Sequence, residues 1–295
     1  MSPAETARGS RVRLDELMVA RGLASSRAKA ARLILAGQVR LPGGLAAKAG
    51  RLVAPDTAVE RIAAAPFVGR GGEKLAAALD AFGVLVEGRV CLDVGASTGG
   101  FTDCLLARGA HRVHAVDVGH GQLHPRLRSD ARVVVWEGVN ARHLDPARFP
   151  DAPSFAAVDV SFISLDKILP AVAACLVAPA EIVALVKPQF EVGRGQVGKG
   201  GVVRGGEARR GAVRDVAAAA RAIGLRVRGV AASVLRGPKG NREVFLHLAR
   251  HVEAPQPAVE GAAFEAALLA AVPEGTEDRA RGVKGQPVTP GGEPA

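Results

Sequence analysis

Short apolar runs rich in β-branched residues alternate with polar or helix-patterned stretches from residue 89 to residue 250. The seven runs cover 89–97, 111–119, 132–139, 154–162, 181–188, 226–235 and 242–250. This alternation predicts an α/β fold with a mostly parallel sheet and helices on both faces. Only residues 236–241 separate the last two runs. Because this connection is too short for a helical crossover, we predict an antiparallel last strand.

A smaller unit with a different pattern precedes the sheet. A first helix is predicted from the apolar spacing over residues 14–18, and it ends at Gly22. Either Ser25 or Ser26 can cap a second helix. The predicted apolar stripe of that helix consists of Ala28, Ala31 and Leu35. A strand at 38–41 follows, so this unit has both helices and strands.

These patterns divide the chain into four predicted segments. They are a small α+β domain at 11–60, a linker at 61–70, the sheet domain at 71–251 and a loose C-terminal tail at 252–295. The tail contains a short helical pattern at 264–272. The longest apolar stretch, 168–186, is interrupted by Pro170, Pro179 and Glu181. We therefore expect a helix followed by a buried strand there rather than a membrane span.

The formal net charge of +10 indicates a polyanionic partner. Nucleic acid is the leading candidate, an anionic membrane surface is the second, and a basic surface that only maintains solubility is the third. The positive charge is concentrated in segment 11–60, where phosphate contacts would weaken with salt. The candidate RNA-binding residues are Arg13, Arg21, Arg27, Lys29, Arg32 and Arg40.

Cysteine and histidine positions argue against metal and disulfide chemistry. The three cysteines have no metal or disulfide spacing, and the histidines at 111–124 lack a supporting acid pattern, so we expect no metal site. The first residues lack the apolar core of a signal peptide. We therefore expect a cytoplasmic protein with no stable membrane association.

Polar residues and glycines follow the strands at the predicted carboxyl edge of the sheet, where open α/β sheets bind their ligands. The first strand ends at Asp93, and the start of the antiparallel strand holds Glu243 on the same edge. Residues at the other strand ends are Asp117, Asn140, Asp159 and Lys187. The sequence therefore predicts one site built from several strand ends.

Residues 94–100, "VGASTGG", contain the G-x-S-x-G elbow that would make Ser97 a hydrolase nucleophile. That elbow would need an oxyanion loop before it and a catalytic histidine in a loop after it, whereas His247 lies in a strand pattern. We therefore interpret Gly95, Ser97, Gly99 and Gly100 as a backbone cradle for a cofactor.

The spacing of the glycines narrows the choice of cofactor. Asp117 suits a ribose diol, which NAD and S-adenosylmethionine both have. The glycines are spaced G-x-x-x-G-G rather than G-x-G-x-x-G, which disfavours a pyrophosphate. A mostly parallel sheet with an antiparallel last strand is also the Rossmann-like arrangement of S-adenosylmethionine-dependent methyltransferases. We therefore predict S-adenosyl-L-methionine as cofactor.

Two lysines and two acids, Lys74, Asp159, Lys187 and Glu243, are the candidate catalytic group. A lysine between carboxylates can stay charged and position a substrate, or it can lose its charge and accept a proton. Transfer of a methyl group to a ribose hydroxyl needs such a proton acceptor. The residues alone leave both roles open.

The small unit resembles the S4 RNA-binding domain. The resemblance rests on Arg13-Leu14-Asp15, Gly22, Ser26-Arg27 and the I-x-x-G-x-V pattern at 34–39. The usual Asn-Gly turn after the valine strand is replaced by Pro42-Gly43-Gly44, so the geometry of this turn is open.

The motifs "GRGGEKLAAAL", "CLDVGASTGGFTDCLLARGA", "AVDVGHGQL", "DVSFISL", "LVKPQFEVG" and "NREVFLHL" resemble the TlyA family of ribosomal RNA cytidine 2′-O-methyltransferases, also known as haemolysin A. The similarity runs from about residue 11 to residue 250. It implies an FtsJ-like methyltransferase domain, and it implies ribosomal RNA or ribosomal subunits as partners. Another RNA substrate, or a membrane-active haemolysin, remains the alternative.

The resemblance also implies a role for each site residue. The K-D-K-E tetrad of FtsJ-type enzymes matches Lys74, Asp159, Lys187 and Glu243. By this match Lys187 activates the 2′-hydroxyl, Asp159 and Lys74 tune and hold it, and Glu243 completes the substrate network. The implied cofactor residues are Asp93, Gly95, Gly99, Asp117 and Asn140.

Overall fold

The computed structural model describes residues 11–35, 37–63, 66–198, 200–250 and 258–274. The chain forms two compact units, and the division falls between Gly69 and Arg70. No helix in the described ranges is both long enough and apolar enough to span a membrane.

The first unit is a small α+β fold. Its elements, in chain order, are β1 (Val12–Arg13), α1 (Leu14–Ala20), α2 (Arg27–Leu35), β2 (Val39–Leu41), β3 (Gly44–Leu45), β4 (Leu52–Val53) and β5 (Glu60–Arg61). Strand β1 pairs with β4, and β2 lies between β3 and β5, with every pair antiparallel. Buried Leu14, Met18 and Val39 bring both helices and β2 into one core.

Helix α2 begins as predicted but buries a different face. The Ser26 hydroxyl accepts a hydrogen bond from the Lys29 N–H, which caps the helix. The predicted stripe of Ala28, Ala31 and Leu35 is wrong: the buried residues are Ala30, Leu33 and Ile34, and Leu35 is 86% exposed. The spacing i, i+3, i+4 places the larger Leu33 and Ile34 side chains together, and their burial removes more apolar area from water.

The Pro-Gly-Gly sequence makes a tight turn between β2 and β3. Leu41 pairs directly with Gly44, so Pro42 and Gly43 are its two central residues. Gly43 has φ +96°, the left-handed value that a type II turn requires at its second central position, and proline suits the first. The hairpin of the S4 domain is therefore closed here by a different turn sequence.

The second unit contains a seven-stranded sheet. Its strands are β6 (Val90–Val94), β7 (Arg112–Val116), β8 (Val133–Trp136), β9 (Phe155–Val158), β10 (Ala180–Val186), β11 (Arg226–Ala232) and β12 (Val244–Arg250). The spatial order is β11–β12–β10–β9–β6–β7–β8. Strand β12 is antiparallel to both of its neighbours, and the remaining pairs are parallel. The predicted sheet and its antiparallel last strand are confirmed.

Helices cover both faces of this sheet. They are α3 (Arg70–Phe82), α4 (Gly100–Ala107), α5 (Pro125–Arg128), α6 (Leu169–Ala174), α7 (Pro188–Glu191), α8 (Gly206–Ala222) and α9 (Gly261–Ala271). Along β12, Leu246 and Leu248 join the core that contains α6, α8 and α9. Phe245 points to the other face and contacts Phe101 of α4. Burial on both faces explains why the strands are almost continuously apolar.

The apolar stretch at 168–186 folds as α6 followed by β10, as predicted. The predicted tail also contains structure. Helix α9 buries Phe264 and Leu268 against the sheet domain, and the Val259 N–H donates to the Val227 carbonyl at 2.8 Å. The packed unit therefore continues past residue 251. Residues 252–257 and 275–295 of the predicted tail lie outside the described residues.

Candidate active site

The carboxyl ends of the parallel strands meet at one edge. The last residues of β6, β7 and β9, which are Val94, Val116 and Val158, stand side by side in register. The end of β10 pairs with the start of the antiparallel β12, Val186 with Val244. Residues one position beyond these ends are therefore neighbours, which is why distant parts of the chain form a single site.

A first cleft of about 460 Å³ opens at the ends of β6, β7 and β9. Four of the predicted cofactor residues line it: Gly95, Ser97, Asp117 and Asn140. The Asp117 carboxylate accepts hydrogen bonds from the Ser97 N–H at 2.8 Å and from the Gly119 N–H at 2.7 Å. Asn140 uses its side-chain oxygen to accept from the Arg142 N–H at 3.0 Å. We refer to this space as the cofactor cleft.

Glycine is required at two positions of the cradle. A Cβ on Gly95, which has φ +87°, would lie 2.4 Å from the Asp159 carbonyl oxygen. A Cβ on Gly99, with φ +96°, would lie 2.3 Å from a methyl carbon of Leu127. Both contacts are far inside van der Waals distance. An added carbon would have to displace the Asp159 backbone at Gly95 or the Leu127 side chain at Gly99, and the positive φ would strain it at both positions.

Ser97 takes part in the cofactor cleft through its backbone. Its φ is +48°, an uncommon left-handed value for a residue with a side chain, and its N–H is committed to Asp117. Its hydroxyl lies 3.3 Å from the side-chain oxygen of Gln122. The serine thus belongs to the turn that forms the cleft floor.

The other three predicted cofactor residues lie beneath the cleft lining. Asp93 is fully buried, and one of its carboxylate oxygens accepts a 2.6 Å hydrogen bond from the Thr102 hydroxyl. The other oxygen has no partner among the described residues. Burial raises the pKa of Asp93 to about 7, against the lowering effect of Thr102. Gly99 and Gly100 form the start of α4, the helix that carries Thr102.

All four residues of the predicted catalytic group line a second cleft of about 540 Å³. Lys74, on α3, forms an ion pair with Glu243 at 2.5 Å, and both side chains are buried. Lys187 forms an ion pair with Asp159 at 2.6 Å. We refer to this space as the tetrad cleft. Asp159 lines both clefts, so a group bound in one can meet a group bound in the other beside Asp159.

Sequence reasoning missed the residues that hold this junction together. The Ser161 hydroxyl accepts a hydrogen bond from the Lys187 amine at 2.9 Å. Phe162 has φ +66° and a ring that is 92% exposed, with its centroid 5.1 Å from that of Phe190. The Glu191 carboxylate accepts hydrogen bonds from the Ser164 hydroxyl and the Leu165 N–H. The sequence feature that points to these residues is their place in the chain, because they lie in the segments that follow β9 and β10.

The β11–β12 loop supports Glu243. A Cβ on Gly237 would lie 2.5 Å from a Glu243 carboxylate oxygen, so glycine permits this close approach. Buried Asn241 accepts from the Val203 N–H and donates to the Gly201 carbonyl, which anchors the glycine-rich loop after α7. Positive side chains also line the tetrad cleft, namely Arg70, Arg236 and Lys239.

The six predicted RNA-binding residues of the first unit fall into two groups. Arg13 and Arg27 both contact the buried Asp15 carboxylate, and the Arg13 hydrogen bonds hold the pKa of Asp15 below its usual range. Arg21 donates to the Pro55 and Thr57 carbonyls, and Arg40 pairs with Glu60. Lys29 and Arg32 are exposed on α2 and have no ion-pair partner among the described residues.

Two of the histidines in the second unit, His114 and His124, have hydrogen-bond partners that support the fold. His114 accepts a hydrogen bond from the Trp136 indole at 3.2 Å and is fully buried, so burial lowers its pKa. His124 caps α5 by accepting from the Arg126 N–H. Within the described ranges, no group of three or more His, Cys, Asp and Glu residues could hold a metal ion.

Comparison with known proteins identifies both units. An S4 domain model matches residues 12–59, and an FtsJ-like methyltransferase model matches residues 67–250. The chain is 48% identical over 267 residues to the "16S/23S rRNA (cytidine-2'-O)-methyltransferase TlyA" of Mycobacterium tuberculosis, which covers 90% of this chain and 98% of that protein.

Two further relatives carry a different name. "Hemolysin A" of Brachyspira hyodysenteriae is 41% identical over 80% of this chain and 99% of its own length. The solved structure of a candidate hemolysin from Streptococcus thermophilus aligns with a TM-score of 0.67 and 41% identity, over 88% of this chain and 95% of that chain. The chain therefore belongs to the TlyA family of FtsJ-like methyltransferases and carries an S4 domain before its methyltransferase domain.

Proposed function

We propose that this protein transfers a methyl group from S-adenosyl-L-methionine to the 2′-hydroxyl of a cytidine in ribosomal RNA. The observation that carries the proposal is the Lys187–Asp159 ion pair at the junction of the cofactor and tetrad clefts. The name of the Mycobacterium tuberculosis relative supports the substrate. A base at the meeting point of two clefts is what methylation of a weakly nucleophilic hydroxyl requires.

The residues of the cofactor cleft fit S-adenosylmethionine. Each Asp117 oxygen accepts one backbone N–H and keeps a lone pair for a ribose hydroxyl. Asp93 does not line the cleft; it is fully buried and accepts a hydrogen bond from Thr102 of α4, so it supports the cradle from inside the domain. A volume of about 460 Å³ is in the usual range for such a molecule.

The tetrad supplies the proton chemistry. S-adenosylmethionine, when bound, would supply the methyl group from its positively charged sulfur, which becomes a neutral thioether leaving group. Lys187, in its neutral amine form, accepts the proton of the 2′-hydroxyl as the 2′-oxygen forms its bond to the methyl carbon. Asp159 then stabilises the resulting ammonium ion at 2.6 Å. In this step the 2′-O–H bond would break with its proton on Lys187, and the S–CH₃ bond of the donor would break as the O–CH₃ bond forms.

Lys74 and Glu243 act on the substrate side. Their 2.5 Å ion pair is buried in the tetrad cleft, so it can orient ribose hydroxyls without large movement. Arg70 and Lys239 at the same cleft offer positive charge to the RNA backbone. Because only 3% of the residues are aromatic, charge rather than stacking should dominate binding. A target nucleotide inside a helix would have to be flipped out to reach Lys187.

The test is transfer of labelled methyl from S-adenosylmethionine to isolated ribosomal subunits. Wild type should label ribosomal RNA, and nuclease digestion with mass spectrometry should find 2′-O-methylcytidine. Lys187→Ala should lower the rate by about 100-fold or more, since general-base groups contribute on that scale. Lys167→Ala, which changes an exposed lysine paired with Asp166, is the matched control and should retain the wild-type rate. Methyl on a base instead of a ribose would refute the proposal.

Membrane damage is the second candidate, because two relatives carry the hemolysin name. Release of a dye from anionic lipid vesicles measures it directly. We expect no release by wild type at concentrations that methylate RNA. Equal release by wild type and Lys187→Ala would instead assign the membrane effect to a surface separate from the tetrad.

A further inference from the structure

Lys187 is held by two oxygens, and only one of them belongs to the tetrad. Its amine lies 2.6 Å from an Asp159 carboxylate oxygen and 2.9 Å from the Ser161 hydroxyl oxygen. Asp159 and Ser161 both lie in the segment that follows β9, and Lys187 follows the neighbouring strand β10. Ser161, like Asp159, lines both the cofactor cleft and the tetrad cleft.

We propose that Ser161 is a positioning residue that aims the lone pair of Lys187 at the substrate hydroxyl. The inference rests on the proposed function, in which Lys187 accepts the 2′-hydroxyl proton. A neutral lysine amine has two N–H groups and one lone pair around its nitrogen. Ser161 accepts one N–H, and the Asp159 carboxylate oxygen, 2.6 Å from the nitrogen, is its ion-pair partner without the geometry of a hydrogen bond. These two contacts take up two sides of the nitrogen, so the lone pair occupies the remaining direction. Because Lys187 lines the tetrad cleft, that direction is available to a substrate hydroxyl there.

Asp159 alone could not fix this direction. The ion pair alone leaves the amine free to rotate about the Cε–Nζ bond, and the lone pair would then sample several directions. The hydrogen bond to Ser161 removes this freedom before the substrate arrives. Fixing the reacting groups in advance is a large part of enzymatic rate enhancement.

The surrounding backbone keeps Ser161 in place. Phe162, the next residue, has φ +66°, a strained conformation for a bulky side chain. Glu191 then ties the same segment to α7 through the Ser164 hydroxyl at 2.5 Å and the Leu165 N–H at 3.1 Å. The segments carrying Ser161 and Lys187 are thus joined twice, once at the amine and once at Glu191. Backbone strain beside a doubly tied segment is expected where geometry serves a reaction.

The test compares Ser161→Ala and Ser161→Thr with wild type. We measure the single-turnover rate of methyl transfer at saturating RNA, the KM for RNA, the Kd for S-adenosylmethionine by calorimetry, and the Tm. Ser161→Ala should lower the single-turnover rate by about 10- to 100-fold, because small misplacements of reacting groups cost this much. KM, Kd and Tm should stay close to wild type. Ser161→Thr keeps the hydroxyl at an exposed position and should recover most of the rate.

Two controls separate this inference from the proposed function. Ser129→Ala removes an exposed hydroxyl at the end of α5 and should leave the rate unchanged. If wild type transfers no methyl group to ribosomal RNA, the proposed function fails. If Lys187→Ala abolishes transfer and Ser161→Ala keeps the wild-type rate, the positioning role fails alone. A Ser161→Thr variant as slow as Ser161→Ala would also overturn the role, because the hydroxyl would then be irrelevant.

Discussion

The buried Lys74–Glu243 pair gives the sharpest prediction for stability. The two side chains are 9% and 1% exposed, and their charged atoms are 2.5 Å apart. Lys74→Met keeps the length of the side chain and removes its charge, which leaves the Glu243 carboxylate buried without its partner. Breaking a buried pair on one side costs about 3–5 kcal/mol. For a domain of this size, that is a fall in Tm of roughly 6–20 °C.

The double variant Lys74→Met/Glu243→Leu separates the charge from the packing. Replacing both ends of a buried pair with apolar groups is often neutral, so the double variant should recover most of the lost stability. Its stability loss should therefore be much smaller than the sum of the two single losses. Methyl transfer should not recover, because the tetrad is still incomplete.

Urea unfolding followed by tryptophan fluorescence provides the assay. The only tryptophan, Trp136, lies in β8 of the methyltransferase domain, so the signal reports on the unit that contains the pair. A loss of less than about 1 kcal/mol in the free energy of unfolding for Lys74→Met would be typical of a solvated surface pair. That result would refute the reasoning from burial.

Three further predictions concern the cofactor cradle, the S4 domain and pH. Gly95→Ala places a Cβ 2.4 Å from the Asp159 carbonyl oxygen. The variant should therefore bind S-adenosylmethionine about tenfold or more weakly in calorimetry. Unchanged binding would mean that the cradle can adjust to the added carbon atom. Lys29→Ala/Arg32→Ala should lower the slope of log K against log salt for RNA binding by roughly 1 per side chain, with no loss of Tm, and an unchanged slope would place the RNA elsewhere. Burial raises the pKa of Asp93 to about 7, so the folded state holds a proton that the unfolded state has already released. Wild type should therefore lose stability as pH rises from about 4 to about 7, whereas Asp93→Asn should not, and parallel urea midpoints across this window would contradict the raised pKa.

The sheet was predictable because its strands are buried on both faces. Continuous apolar runs such as 182–186 are typical of strands buried on both faces. The short 236–241 connection permits only an antiparallel partner. The face of α2 was not predictable from spacing alone, because several stripes fit its six apolar residues. Side-chain size decided between them, and it placed Leu33 and Ile34 in the core.

Strand ends were predictable as site positions because parallel strands finish at one edge, and the tetrad residues do converge there. The contacts of individual charges were not. From the sequence, Arg13 and Arg21 are both predicted to be available for RNA. In the structure Arg13 donates hydrogen bonds to the Asp15 carboxylate, and Arg21 donates to backbone carbonyls. The contribution of Ser161 depends on a left-handed residue beside it, which no apolar or charge pattern records.

Asp159 connects the glycine cradle of the cofactor cleft to Lys187, the proposed base. Its carbonyl oxygen lies against Gly95, where even one added carbon atom would not fit, and its carboxylate holds Lys187 at 2.6 Å. A displacement of Gly95 toward Asp159 must therefore move the Asp159 backbone. Because the Asp159 carboxylate contacts the Lys187 amine, the same movement shifts that contact. In the proposed reaction, the motif "VGASTGG" acts through its glycines rather than its serine. It shapes the space for the methyl donor, and its contact with Asp159 links that space to the lysine proposed to take the proton.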